Sequence, residues 1–172
     1  MRADATAERV RGLLDALGAR AKRGDRLYLT GGASAVLIGW RHSTHDVDVR
    51  IEGGEDELLR AISELKDTLD VNVELASPLD FLPEPQNWRE RSPHAGRFGS
   101  LDVHHVDFGL QALAKLQRGF DADLLDVSQM LAHRLTSTQE IDDTFAAVRD
   151  RLHRFPSVDP GRLASAVAGL PR

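Results

Sequence analysis

Residues 29–51 read LTGGASAVLIGWRHSTHDVDVRI, and the order of residue types in this stretch decides the fold. Leu27-Tyr28-Leu29-Thr30 is short, apolar and halted by a glycine pair, the pattern of a buried strand. Behind Gly31-Gly32, the small and apolar residues 33–39 start a helix that can lie close to its neighbours. After a polar loop at 40–45, Asp46-Val47-Asp48-Val49-Arg50-Ile51 alternates with period two and carries β-branched residues at 47, 49 and 51, as a half-buried strand does. The order is strand, tight turn, helix, loop, strand.

Working outward, Val10, Leu13, Leu14 and Leu17 recur at helical spacing and predict an amphipathic helix over 5–22. Leu58, Leu59, Ile62, Leu65 and Leu69 predict a second helix, and residues 71–75 alternate again as a strand, so a strand-helix-strand unit closes there. Residues 77–99 hold four of the seven prolines and read as a long irregular excursion. A strand is expected over 101–107. Helices follow over 109–118 and 121–134, then from a capping box at Ser137-Thr138-Gln139-Glu140 to about 153, with a short last helix opening at Asp159-Pro160. The expected class is α+β: a mixed sheet of four or five strands with packed helices in residues 1–107, and a small helical part, 108–172, that closes one wall of a cleft within a single compact unit.

The chain has 172 residues, enough for one full core, and 41% hydrophobic and 28% charged residues are ordinary globular values. A net charge of −5 gives no global attraction to nucleic acid, so an RNA partner needs a local basic patch. With no cysteine, disulfides, thiolate zinc sites and cysteine catalysis are excluded, and a reducing cytoplasm is the simplest setting. Charges interrupt the N-terminal apolar residues, unlike a signal peptide, and no later run approaches membrane-spanning length.

Two carboxylates at i and i+2 of a strand face the same way and lie close enough to share divalent cations. Asp46 and Asp48 have this spacing, which suits two-metal phosphoryl or nucleotidyl transfer. Glu74 is the candidate third carboxylate, and Asn72 on the same face can add an oxygen. Gly31-Gly32 at a helix N-terminus offers close backbone approach and amide hydrogens to a triphosphate, and Ser34 a further hydroxyl.

With these motifs in place, the sequence resembles the polymerase-beta-like nucleotidyltransferase superfamily, whose signature is Gly followed by Gly or Ser, roughly ten residues, and Asp-apolar-Asp or Glu. It is similar in particular to the bacterial branch that includes AbiEii-type toxins of type IV toxin-antitoxin pairs. There an arginine and Ser/Thr precede the Asp pair, as Arg41, Ser43 and Thr44 do here. Ala114-Lys115-Leu116-Gln117-Arg118-Gly119 and Asp123-Leu124-Leu125-Asp126-Val127 are similar to the downstream helical motifs of that branch, and Ser77-Pro78-Leu79-Asp80-Phe81-Leu82 is similar to its uncharacterised members. The resemblance spans about residues 27–131.

It implies transfer of a nucleoside monophosphate from an NTP to an acceptor hydroxyl with Mg2+ or Mn2+ held by Asp46, Asp48 and Glu74. Gly31, Gly32, Ser34, Arg41 and Thr44 would then meet the nucleotide, and Lys115 its phosphates. Asp123, or Asp126, would assist the acceptor or the fold of the site. The acceptor is tRNA or other RNA, a protein or a small molecule, and a cognate antitoxin is an implied partner. A catalytically inactive binding module with the same fold is the alternative. Gly32 departs from the serine that many members carry.

His42 and His45 flank the aspartates, but metal-dependent phosphohydrolases place such pairs on helices, and 46–51 alternates as a strand. His104 and His105 point to opposite strand faces and read as structural. Trp88, Arg89, Arg91 and Arg97 could form a basic-aromatic edge, but Glu84 and Glu90 dilute it, which favours a solvated loop.

Overall fold

In the computed structural model, which describes residues 2–171, the alternating stretch becomes one strand of a five-stranded mixed sheet. The sheet belongs to one of two compact units, formed by the chain up to Ser77 together with Pro93–His105. In chain order this unit contains β1 (Ala5–Thr6), α1 (Ala7–Gly18), β2 (Arg26–Thr30), α2 (Gly31–Ile38), β3 (Ser43–Thr44), β4 (Asp46–Glu52), α3 (Glu55–Thr68), β5 (Asn72–Leu75), β6 (His94–Phe98) and β7 (Leu101–His105). The sheet order is β5-β4-β2-β7-β6, while β1 and β3 form a separate antiparallel pair. β2 runs antiparallel to β4 and parallel to β7, and β5 runs parallel to β4. The α+β class is as expected.

Alternation explains how the layers assemble. Val47 and Val49 of β4 join Leu27 and Leu29 of β2, Val73 of β5 and Leu101 and Val103 of β7 in one apolar cluster. Val10, Leu13, Leu14 and Leu17 of α1 and Leu58, Ala61, Ile62 and Leu65 of α3 complete it. Each buried leucine or valine contributes about 1.5–3 kcal/mol relative to an exposed one.

Element ends depart from the expectation for local reasons. α1 begins at Ala7 because Thr6 caps it, its Oγ1 accepting from Arg9 N, while Ala5 and Thr6 pair with Thr44 and Ser43. It stops at Gly18, and Arg20 N and Ala21 N both donate to Leu17 O in a closing turn. α2 takes both glycines into its first turn instead of starting after them. Part of the excursion at 77–99 is a strand: β6 pairs antiparallel with β7 through the two-residue turn Gly99-Ser100, with an irregularity between His94 and Gly96. That glycine-containing turn was the readable signal, masked by the surrounding prolines.

The second unit comprises Pro78–Ser92 and the chain from Val106 onward, so residues 78–92 cluster with the helices, a membership that a single division at 107/108 leaves out. It contains α4 (Trp88–Arg91), α5 (Phe108–Arg118), α6 (Asp121–Ala132), α7 (Thr138–Val148) and α8 (Pro160–Ala168). The capping box at α7 forms as read, with Ser137 Oγ accepting from Glu140 N and Glu140 Oε2 from Ser137 N. α7 ends at Val148, and a 3-10 segment, Arg149–Arg154, carries the chain on. Trp88 is not part of a solvated edge: it is buried, and its Nε1 donates to Glu84 Oε1 at 2.7 Å. Arg91 is also committed, both Nε and Nη2 donating to Asp107 Oδ2. Burial pushes the Asp107 carboxyl above its ordinary value, and the Arg91 guanidinium opposes that shift.

In the sheet unit, α1 crosses the β6–β7 turn at backbone contact. A Cβ on Gly18 would lie 2.0 Å from Phe98 O, and Gly99 at φ +55° would place one 2.5 Å from Gly18 O. Gly18→Ala is therefore expected to lower the unfolding free energy by about 2 kcal/mol or more in denaturant titration. Gly12→Ala on the same helix, where a Cβ meets nothing within 4 Å, should be neutral or stabilising by up to about 1 kcal/mol.

Candidate active site

Burying Val47 and Val49 turns Asp46 and Asp48 to the opposite face of β4. The parallel register then sets Asn72 beside Asp46 and Glu74 beside Asp48. Four oxygen-bearing side chains form a two-by-two array in which Asp46, Asp48 and Asn72 are half-buried and Glu74 is exposed. Asn72 Nδ2 donates to Asp46 Oδ1 at 2.5 Å and to Glu74 Oε1 at 3.4 Å. Among the described residues, no three His, Asp or Glu side chains form a preassembled metal-ligand set.

On the other side of β4, the last residue of β2, Thr30, pairs with Asp48, and α2 begins at the next residue. Gly31 sits at φ +58°, and a Cβ there would lie 3.0 Å from Asp48 Oδ2. The first turn of α2, which receives no side-chain cap from Thr30, thus lies against the Asp48 carboxylate. Its partial positive charge favours an anion at that end. Gly32 faces Thr44: a Cβ would lie 2.0 Å from Thr44 Oγ1 and 2.7 Å from Thr44 Cβ. Thr44 Oγ1 donates to Asp46 O at 2.9 Å. Gly31, Gly32, Thr44, Asp46 and Asp48 are therefore one contiguous group, with Asn72 and Glu74 along its strand edge.

Two residues expected here lie elsewhere. Ser34 is fully buried, its Oγ donating to Leu29 O at 3.3 Å and lying 2.9 Å from His105 Nδ1, so it locks α2 onto the sheet and offers no hydroxyl to a ligand. Arg41 lies three residues past Ile38, at the C-terminal end of α2 opposite Gly31, with its N donating back to Ala35 O at 3.4 Å. There it lines a groove of about 540 Å³ with Trp40, His42 and the start of α1. His45 Nδ1 lies 3.3 Å from Asp4 Oδ1 at the surface, consistent with no part in the carboxylate group.

The helical motifs of the second unit form an ion cluster. Lys115 Nζ donates to Asp126 Oδ2 at 2.7 Å and to Asp123 Oδ1 at 3.4 Å, and Arg118 donates to both Asp123 oxygens. Lys115, Asp123 and Asp126 are 7%, 3% and 2% exposed. Both candidate aspartates bind the lysine, and together the three clamp α5 to α6.

The contacts missed in sequence are Gly32 with Thr44 and Ser34 with His105, pairs 12 and 71 positions apart for which no local pattern exists. Burial pulls His105 down to about 4, with His104 adding to the shift, so the ring is neutral at neutral pH.

No family model and no curated protein matches the sequence. The structure is similar to the crystal structure of an antigenic nucleotidyltransferase-like protein from Paracoccidioides brasiliensis, with a TM-score of 0.50 and 13% identity over 96% of this chain and 95% of that one. The fold is nucleotidyltransferase-like. The array on β4 and β5 and the glycine-opened helix all belong to the sheet unit. No helix among the described residues is long and apolar enough to cross a membrane.

Gly32→Ala should displace Thr44 and lower the melting temperature by several degrees. Gly32→Ala with Thr44→Gly should recover most of that loss, whereas Thr44→Ala should not, because its Cβ still obstructs. His105 adds a pH dependence. Its folded value lies below the unfolded one of about 6.5, so its contribution is full above pH 6.5 and is lost as pH falls toward 4. Denaturant series from pH 7.5 to 4 should show wild type losing stability relative to His105→Asn, with a slope approaching about 1.4 kcal/mol per pH unit.

Proposed function

We propose that this protein is a metal-dependent nucleotidyltransferase that moves a nucleoside monophosphate from an NTP to an acceptor hydroxyl. The observation that carries the reading is the registered array of Asp46, Asp48 and Glu74 abutting the glycine-opened N-terminus of α2. Carboxylate oxygens on one open face suit a hard divalent cation, Mg2+ or Mn2+. Asp46 and Asp48 would hold it, with Glu74 as the third carboxylate. When bound, the metal supplies charge neutralisation at the phosphate and lowers the pKa of the attacking hydroxyl.

The residues of the chain bind and orient. The backbone of Gly31 and Gly32 receives the triphosphate at the positive end of α2, and Thr44, its hydroxyl donated to Asp46 O, holds the strand against that turn. The acceptor oxygen bonds to the α-phosphorus in line with the departing group, and the hydroxyl proton is lost to solvent. The bond from that phosphorus to the oxygen bridging the β-phosphate breaks, and pyrophosphate leaves with the electron pair. Arg41, from its groove, is assigned to the acceptor or the outer phosphates. Lys115 and Asp123 are assigned to scaffolding: freeing the ammonium for a phosphate would take a buried countercharge from both Asp123 and Asp126.

The acceptor is assigned to tRNA or other RNA, and a cognate antitoxin is the protein partner. Both rest on the motif resemblance around Arg41, Thr44 and Asp46. At a net charge of −5 the RNA would be held by local basic groups. A catalytically inactive binding module is the second reading, favoured by the lack of a preassembled three-carboxylate set among the described residues.

Incubation with each labelled NTP, Mg2+ and tRNA or total RNA should transfer label to RNA. Asp46→Ala and Asp48→Ala should each lower the rate by about 10²–10³-fold or more. Metal-dependent NTP binding without transfer to any acceptor would support the binding module, and the absence of both would overturn the enzyme.

A further inference from the structure

Asn72 is the member of the array whose chemistry differs from its neighbours. It pairs with Asp46 across the parallel strands, and Glu74 stands two residues along the same face. Its Nδ2 donates to both carboxylates, at 2.5 Å to Asp46 Oδ1 and 3.4 Å to Glu74 Oε1. The amide group therefore fills the space between two like charges, one hydrogen toward each.

A primary amide has two opposite ends. Rotation by half a turn about the last side-chain bond exchanges the two N–H donors for a carbonyl oxygen without moving the backbone. With no cation between the carboxylates, the donor end is favoured, because the carbonyl would add a third repulsion. With a divalent cation there, the N–H groups would face positive charge, while the carbonyl is the kind of hard oxygen donor that such cations take. We propose that Asn72 is a metal-linked amide switch: its Nδ2 bridges Asp46 and Glu74 while the array is metal-free, and its Oδ1 turns inward as a neutral ligand when a divalent cation binds. The proposal rests on reading Asp46, Asp48 and Glu74 as the metal-holding group.

The switch accounts for an asparagine at this position. A fourth carboxylate would tighten metal binding but would set like charges directly opposite across the strands, destabilising the metal-free sheet edge. An alanine would leave Asp46 without its donor and the cation without a ligand.

The test uses the full chain with MgCl2 alone. The sequence contains two asparagines, Asn72 and Asn87, so side-chain amide resonances are assigned by comparing wild type with Asn72→Asp. On Mg2+ titration the Asn72 carbonyl carbon and amide protons should shift in step with binding, while those of Asn87 stay. Calorimetry should give Asn72→Ala roughly 10-fold weaker Mg2+ binding and Asn72→Asp roughly 10-fold tighter binding, the energetic equivalent of about 1.4 kcal/mol each. Asn72→Asp should melt lower than wild type in EDTA and regain the difference in Mg2+. If Asp46→Ala abolishes Mg2+ binding but Asn72→Ala binds as wild type and the Asn72 resonances do not move, the switch is overturned while the metal-dependent reading stands. If wild type and Asp46→Ala show the same Mg2+ response, the metal-holding reading falls and the switch with it. A melting curve of each variant in EDTA separates loss of fold from loss of binding.

Discussion

Everything proposed for the sheet unit depends on the two-residue period of β4. Val47 and Val49 are buried against α1 and α3, so Asp46 and Asp48 must face the other way. A slip of one residue would carry both carboxylates into an apolar layer and both valines out of it, a change of many kcal/mol in the wrong direction. The same alternation on β5 puts Val73 in the core and Asn72 and Glu74 on the aspartates' face. Core packing and the candidate chemistry are thus one constraint seen from two sides of a strand.

The second constraint is the closeness of α2 to that strand. Gly31 adopts a left-handed conformation, and both glycines lie where a side chain would meet Asp48 or Thr44. Their lack of side chains lets the helix N-terminus reach the carboxylate face at backbone distance. Ser34 one turn later anchors the helix from beneath through His105, a neutral buried hydrogen bond in place of a polar group left for solvent. Gly32 also explains the departure from the serine of many resembling proteins: Thr44 already occupies the room, and its hydroxyl is directed to Asp46 O.

The helical unit is organised by a different interaction. Lys115, Asp123 and Asp126 meet in a nearly dry setting, and the half-exposed Arg118 reaches Asp123 from the surface. Removing one partner from such a buried group costs about 3–5 kcal/mol, because the remaining charge is left without compensation. A sequence motif that resembles a phosphate-contacting lysine is here a clamp between α5 and α6.

Much of this was written in residues 27–51 and 71–75. Period-two alternation, the glycine pair and helical spacing are local properties, and they determined the strands, the helices, the α+β class and the shared face of Asp46 and Asp48. β6 escaped because Pro93 and the prolines before it outweighed a short edge strand that alternates poorly. Tertiary structure decided the rest. The register that pairs Asp48 with Glu74 and the burial of Ser34 against His105 join residues distant in sequence, and the capture of Lys115 by two aspartates depends on how α6 packs on α5. A sequence pattern states which way a side chain faces along its own element. Which group it meets depends on how elements pack, and that is set by the summed burial of the whole core.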